Sequence, residues 1–484
     1  MRVSILLVSV ALAGCAAGPD FTPPAGPVTH SYLPGGQPGE TVAAGGPGGV
    51  AQHFDTAADV PDQWWTLFRS PALDRLVRVA LADSPTLAEA RAKLVQAQQD
   101  YLAEAGATRY PSIDAGFGAS RQKINTAAFG IPNAPNTSPF NLFNASVNVG
   151  YTLDLFGANR RALEGLLALV DYQRYELEAA RLSLSANVVS AAIRRAALRE
   201  EIVVTQSLYT AQQQQFDIMA ARYRAGGIAR LDLQNQQSLL AQTAAQLPPL
   251  QKQLALADHQ LVVYLGKPPA EVELPELDLA SLQLPAELPL TLPSSLARQR
   301  PDIRAAEALW HQASADVGVA TANLYPKLTL SGSFGSERTR SGDVGNGVNV
   351  WSLGLNLMQP IFHGGELQAK RRSALAAYDA SAAAYQQVVL QGLQQVADAL
   401  GALDHDARTL QARANAADQA DASYRISQQQ YRAGGISQLA LLDAQRQQLQ
   451  TRLDRVQAEA DRYTDSTALL QALGGGWWGR STPP

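Results

Sequence analysis

The chain has 484 residues, with 39 Lys and Arg against 43 Asp and Glu, a net charge of −4 and one cysteine. This balance, with no basic stripe, excludes nucleic acid as a partner, and a single cysteine excludes an intramolecular disulfide even in a compartment that permits one. The six histidines are scattered without the paired spacing of a zinc site. No Gly-rich loop ends in Gly-Lys-Ser/Thr, and no paired acid–base group or nucleophile stands out, so no cofactor and no enzymatic activity are expected. Nor does any run approach the ~18 uninterrupted apolar residues of a spanning helix. If this chain crosses a bilayer, it does so with strands.

Residues 1–14 read as a secretory signal. Arg2 gives a positive start, residues 3–12 are apolar apart from Ser4 and Ser9, and Leu12-Ala13-Gly14 leads into Cys15. The segment is too short to serve as an anchor. It resembles a bacterial lipoprotein signal, which implies lipidation of Cys15 as the first mature residue; the competing reading is an ordinary signal beside an incidental cysteine. Ala16, in place of an aspartate, implies sorting to the outer membrane on the same resemblance. Residues 15–61, rich in Gly, Pro and Ala, read as an extended tether with little core.

A first large unit spans residues 62–266. Trp64-Trp65 and Leu67-Phe68 open it, and Asp83-Ser84-Pro85 breaks the chain before a helix at about 86–108, where Leu87, Ala90, Leu94, Ala97 and Tyr101 recur at helical spacing. After Tyr110-Pro111 the period changes to two. Ile113, Ala115, Phe117 and Ala119 alternate with small or polar residues in a strand at about 112–121, and Phe143, Ala145, Val147, Val149, Tyr151 and Leu153 do so at about 143–154. No proline occurs between Pro139 and Pro248, and residues 158–224 are dense in good helix formers. A helix of about 67 residues is on the order of 100 Å long and needs partners along its apolar stripe. It ends in Tyr223-Arg224-Ala225-Gly226-Gly227-Ile228, which reads as a tight turn into a second long helix closed by Leu265-Gly266.

Residues 267–293 carry six prolines and read as a linker. The plan then repeats over 294–474: Tyr325-Pro326, strands at about 327–336 and 349–359, Phe362 with Gly364 matching Phe156-Gly157, and a proline-free helix at about 364–432. The turn Tyr431-Arg432-Ala433-Gly434-Gly435-Ile436 repeats the first letter for letter, Ser437 is placed to cap the next helix, and Leu473-Gly474 closes the copy before a tail at 475–484. The four strands have near bilayer-spanning length with one apolar face, which fits a membrane β-barrel with a wet lumen. The alternative, a soluble sandwich, has no need of the very long flanking helices. The expected fold is a tandem-duplicated unit combining a membrane β-barrel with a long α-helical barrel, four strands per chain.

These motifs together resemble the TolC-type outer-membrane efflux proteins, close to the lipidated, OprM/NodT-like branch that serves resistance-nodulation-division pumps. The match runs nearly end to end: Cys15; Gly18-Pro19-Asp20-Phe21; Trp64 to Phe68; Asp154-Leu155-Phe156-Gly157 with Arg160-Arg161; Arg300-Pro301-Asp302; both glycine turns; and Leu441-Leu442-Asp443-Ala444-Gln445-Arg446. The resemblance implies a homotrimer whose twelve-stranded barrel continues into a periplasmic helical barrel, working with a periplasmic adaptor and an inner-membrane pump. Strand counting alone also allows a dimer, since two copies give about 8 strands and three about 12. A rival reading is a structural or adaptor lipoprotein that binds through its helical hairpins and forms no pore.

By resemblance, Asp443 points into the lumen near a closed periplasmic tip, where like charges from several copies raise one another's pKa and attract cations. The plainer reading is a surface carboxylate paired with Arg446. Ala440 stands where some relatives carry a second aspartate, while Asp232 and Asn235 occupy the corresponding places in the first copy. Tyr431 and Arg432 are expected to brace the tip or simply to finish their helix. Gly226, Gly227, Gly434 and Gly435 leave backbone exposed for adaptor contact.

Overall fold

In the computed structural model, which describes residues 17–36, 39–123, 138–340 and 349–479, proline and serine set the first helices. The Ser70 side chain accepts from the Leu73 amide and Pro71 takes the first helical position, opening α1 (Pro71–Asp83), which buries Leu73, Leu76, Val77 and Ala80. Pro85 then starts α2 (Pro85–Arg109). The long elements follow as α3 (Ala158–Arg224) and α4 (Arg230–Tyr264) in the first copy, and α7 (Glu366–Arg432) and α8 (Gln438–Ala472) in the second. Between them lie α5 (Pro293–Gln299) and α6 (Pro301–Ala322). α4 passes through Pro248 and Pro249 without ending, although each proline removes an amide donor from the helical ladder.

The chain divides into two compact units, each drawing stretches from both copies. The first comprises Lys93–Gln173 and Ala305–Tyr385 with the described residues up to Pro23. Its sheet holds β2 (Ser112–Gln122), β3 (Phe140–Leu153), β5 (Lys327–Arg338) and β6 (Asn349–Met358) in the antiparallel order β2-β3-β5-β6. The middle ladder joins the two copies, with Val147 opposite Phe334 and Leu153 opposite Leu328. Register keeps side-chain character in rows: Ile113, Val149, Gly332 and Leu353 lie across one face, and Asp114, Asn148, Ser333 and Ser352 across the other. A slip of one residue would exchange the faces. The Gly18-Pro19-Asp20-Phe21 segment is held in this unit by Arg161, which reaches the Ala17 carbonyl and Asp20 Oδ1 at 2.6 Å, and by Phe21 stacked on His311 at 4.5 Å.

The second unit comprises Pro24–Ala92, Arg174–Arg304 and the chain from Gln386 onward. Its core gathers Trp64, Phe68 and Leu73 with Val188, Val189, Ala192 and Ile193 of α3, Leu400 and Leu403 of α7, and Leu469 and Leu470 of α8. Arg300 donates to the Ala472 carbonyl at 2.8 Å, to Gln395 and to both oxygens of Asp302, so the Arg300-Pro301-Asp302 motif ties off the end of α8. Gly392 makes room for this: a Cβ there would stand 3.3 Å from Arg300 Nε.

Two expectations from composition are corrected here. The stretch read as a tether with little core is docked over much of its length: β1 (His53–Asp55) pairs in parallel with β4 (Glu287–Pro289), and Thr41, Gln52 and Val60 are buried. The cause is Arg462, fully buried on α8. It donates to the Gly48 and Val50 carbonyls at 2.8 and 3.2 Å, to Thr41 Oγ1 and to Gln52 Oε1. The stretch read as a linker is also core, with Leu277, Leu279, Leu282, Leu288 and Leu290 buried, each stabilising by about 1.5–3 kcal/mol. Its prolines preset an extended path, and its leucines hold that path to the helices.

Candidate functional site

In the first unit the sheet presents two chemically opposite faces. Ile113, Phe117, Phe334, Trp351, Leu353, Leu355 and Leu357 project from one, and all are exposed, Trp351 by 75%. An apolar patch of this extent is a contact surface. The other face carries serines, asparagines and glycines, with Ser333 and Ser352 hydroxyls 2.8 Å apart across β5 and β6. β2 and β6 are the outer strands, each with a backbone edge that no other strand pairs among the described residues. An edge left open in a membrane is untenable, because every backbone group there needs a partner. Among the described residues no helix is long and apolar enough to cross a membrane.

In the second unit the two glycine turns share one hydrogen-bond scheme. The Gly226 amide donates to the Tyr223 carbonyl and the Gly227 amide to Arg222, as Gly434 does to Tyr431 and Gly435 to Gln430. This double closure is a Schellman motif. Only the first glycine of each pair is in the left-handed region, Gly226 at φ 75° and Gly434 at 78°. The expectation that all four glycines serve alike is therefore refined, since Gly227 and Gly435 do not take positive φ. The Ser437 hydroxyl accepts from the Ala440 amide, whereas Ala229 at the matching place offers no cap.

Asp443 lies in the second turn of α8, 62% exposed in its side chain, with Arg446 Nη1 3.5 Å from its Oδ1. Within one chain the pairing with Arg446 is thus formed. Tyr431 is half-buried and Arg432 exposed, and neither side chain has a hydrogen-bond or ion-pair partner among the described residues, although the Tyr431 carbonyl accepts from the Gly434 amide. Cys15 lies outside the described residues.

The family model described as outer membrane efflux protein matches residues 76–267 and 292–475. The chain belongs to the outer membrane efflux protein family. It is 32% identical over 430 residues to the pyoverdine export outer membrane protein OpmQ of Pseudomonas aeruginosa, covering 88% of this chain and 90% of that protein. It is 29% identical over 484 residues to the outer membrane protein OprJ of Pseudomonas aeruginosa, covering 98% and 96%. The solved outer-membrane channel OprN superposes with a TM-score of 0.84 at 30% identity, covering 96% of this chain and 100% of that one. Campylobacter jejuni CmeC has the same fold, with a TM-score of 0.84 at 21% identity. The TolC-type resemblance read from the motifs is thus established, and so is the channel function in outer-membrane efflux.

One feature of this efflux protein escapes motif reading, a seam of buried glutamines. Gln438 Nε2 donates to Gln236 Oε1 at 3.1 Å, Gln236 donates to the Gln212 carbonyl, and Gln445 donates to the Tyr424 hydroxyl. Both amide atoms of Gln212, and the Oε1 atoms of Gln438 and Gln445, are buried without partners among the described residues. Farther along α8, Gln448 and Arg452 bond Asp421. Burial pushes the Asp421 carboxyl up, but those two donors outweigh it and hold it below the ordinary range. A signal was present: Gln438, Gln445 and Gln448 are seven and three residues apart, the spacing of a helix seam.

Proposed function

We propose that this outer membrane efflux protein is the passive conduit of a tripartite system. It receives solutes from an inner-membrane pump of the resistance-nodulation-division type through a periplasmic adaptor, and is anchored by lipid at Cys15. The observation that carries the reading is the sheet, with its apolar side chains on one exposed face, polar ones on the other, and both edges open. Lipid suits the first face, a wet lumen the second, and other copies of the chain the edges. Four strands are too few to close a barrel, so copies must join; the assembly is the homotrimer that the TolC-type resemblance implies, three copies giving about 12 strands. The pump supplies direction and energy. The glycine turns contact the adaptor, and Asp443, with Tyr431 and Arg432 beside it, forms the periplasmic gate, three carboxylates meeting where copies converge. An adaptor lipoprotein without a pore would gain nothing from an apolar sheet face.

Purified protein in a planar bilayer is expected to give stepwise cation-conducting channels. Asp443→Ala should change conductance and cation block with little effect on assembly, because an exposed helical site tolerates alanine. Absence of channels from correctly assembled protein would overturn the conduit. Wild-type conductance, block and selectivity in Asp443→Ala would leave Asp443 a partner of Arg446 only. Mass spectrometry of the mature amino terminus tests the anchor, and an unmodified Cys15 would remove it.

A further inference from the structure

The chain contains one half of a repeated junction in formed state and the other half undone. In the first copy Phe156 follows β3, and in the second Tyr325 precedes β5. Because β3 and β5 run antiparallel with Leu153 opposite Leu328, the two rings meet just past the strand ends, stacked at 4.7 Å and 14°. The duplication supplies the same pair in the opposite order, Phe362 after β6 and Tyr110 before β2. Among the described residues these strands are the sheet's two edges and neither ring has a stacking partner: Phe362 is 87% exposed, Tyr110 69%. Beside Phe362 opens a cavity of about 860 Å³, bordered by Lys327, Met358, His363 and Lys370. Its apolar floor and its polar rim, where Lys327 and Lys370 stand with Asp316, suit a ring with a hydroxyl tip.

We infer that Phe362 stacks on Tyr110 of the next copy and that this stack sets the register in which β6 pairs with β2 across the seam. The inference rests on the oligomeric reading above and adds the residues that align the copies. With the rings opposed, Leu357 faces Ala115 and Leu355 faces Phe117, so the apolar face continues unbroken from one copy to the next. Asn356 and Gly354 then meet Gly116 and Gly118 on the polar face. Aligning the copies instead by their helices, with the start of α7 matched to that of α3, would shift the seam by two residues and place Gln359 opposite Ala115. A phospholipid headgroup is the other occupant that this chemistry would accept, and the test separates it.

Opposed residues on antiparallel strands lie about 4.5–5.5 Å apart at Cα, inside the disulfide range of about 4.4–6.8 Å, and a two-residue slip moves a partner by about 6.8 Å. Ala115→Cys combined with Leu357→Cys should therefore give covalently linked oligomers on mild oxidation of outer membranes, while Ala115→Cys with Gln359→Cys should not; the sole native cysteine is Cys15. Phe362→Ala and Tyr110→Ala should each speed dissociation of the detergent-extracted assembly by about tenfold, and the double variant should dissociate no faster than either single one. Cross-linking through Gln359 instead, or strictly additive effects, would overturn the stack while leaving the oligomer intact. So would a Tyr110→Ala assembly that dissociates at the wild-type rate while Phe362→Ala alone loses co-purified phospholipid, which would give the cavity to a headgroup. Native mass spectrometry showing only monomer would overturn the underlying reading itself.

Discussion

Arg462 satisfies four acceptors on a segment more than 400 residues away in sequence, including the Gly48 carbonyl at a separation of 414. Burial lowers its pKa, and the nearby Asp406 charge works against that shift. Arg462→Met keeps much of the volume but orphans those acceptors, at a cost of about 3 kcal/mol or more. Residues 39–60 should then become an early site of limited proteolysis, and unchanged protection would show that β1 alone holds the segment. Lysine should rescue poorly, since one ammonium cannot reproduce the planar fork. Nearby on α8, burial pushes the Asp465 carboxyl up to about 7, helped by its bond with Asp406 of α7 and by the charges of Asp406 and Asp461. Asp461 is raised as well, by burial and then Asp406, partly offset by Gln457 and by Arg194 of α3. A carboxyl raised in the folded state holds its proton where the unfolded chain has lost it. Stability from Asp465 is therefore lost as pH rises from the ordinary carboxylate range through about 7. Thermal unfolding in detergent should show a higher midpoint at pH 5.5 than at pH 8, and Asp465→Asn should flatten that difference.

Each glycine turn divides its work between unlike positions. Gly434 sits at φ 78° with open space around its missing side chain, whereas Gly435 has ordinary φ and a Cβ there would lie 3.5 Å from the Gln430 carbonyl. Gly434→Ala should cost about 1–2 kcal/mol through left-handed strain, and Gly435→Ala a fraction of that; equal losses in thermal scans would mean that side-chain room, and not φ, governs the turn. The turn itself is legible in the letters, as are the long helices, because proline-free runs of helix formers leave little else for the backbone to do. The strands are legible from alternation at Ile113, Ala115 and Phe117, which also tells the two faces of the sheet apart. What composition hides is long-range partnership. A Gly-Pro-Ala stretch reads the same whether its carbonyls meet water or the guanidinium of Arg462. The leucines of 267–293 are outvoted by six prolines that do not prevent packing. At the tip, motif knowledge draws the eye to Asp443 and away from Gln212 and Gln236, whose importance depends on burial and so on the neighbouring helices.

For the whole molecule, the open edges of β2 and β6 demand neighbours, and native mass spectrometry of gently extracted protein should show three copies. A two-copy species carrying full conductance would replace the trimer with the dimer that strand counting allows. The grip of Arg462 on the amino-terminal segment has a further consequence, for the order of synthesis and folding. Residues 41–52 emerge early, yet their partners, Arg462 and Ser466, are made within the last stretch of the chain. Contacts of such sequence separation form late, since the chain entropy of closing a loop that long precedes any gain. The segment must therefore wait, extended, while the remaining residues cross into the compartment where folding finishes. In a chain truncated before α8 it should stay sensitive to protease indefinitely, and an escort that shields nascent apolar strands has that whole interval in which to act.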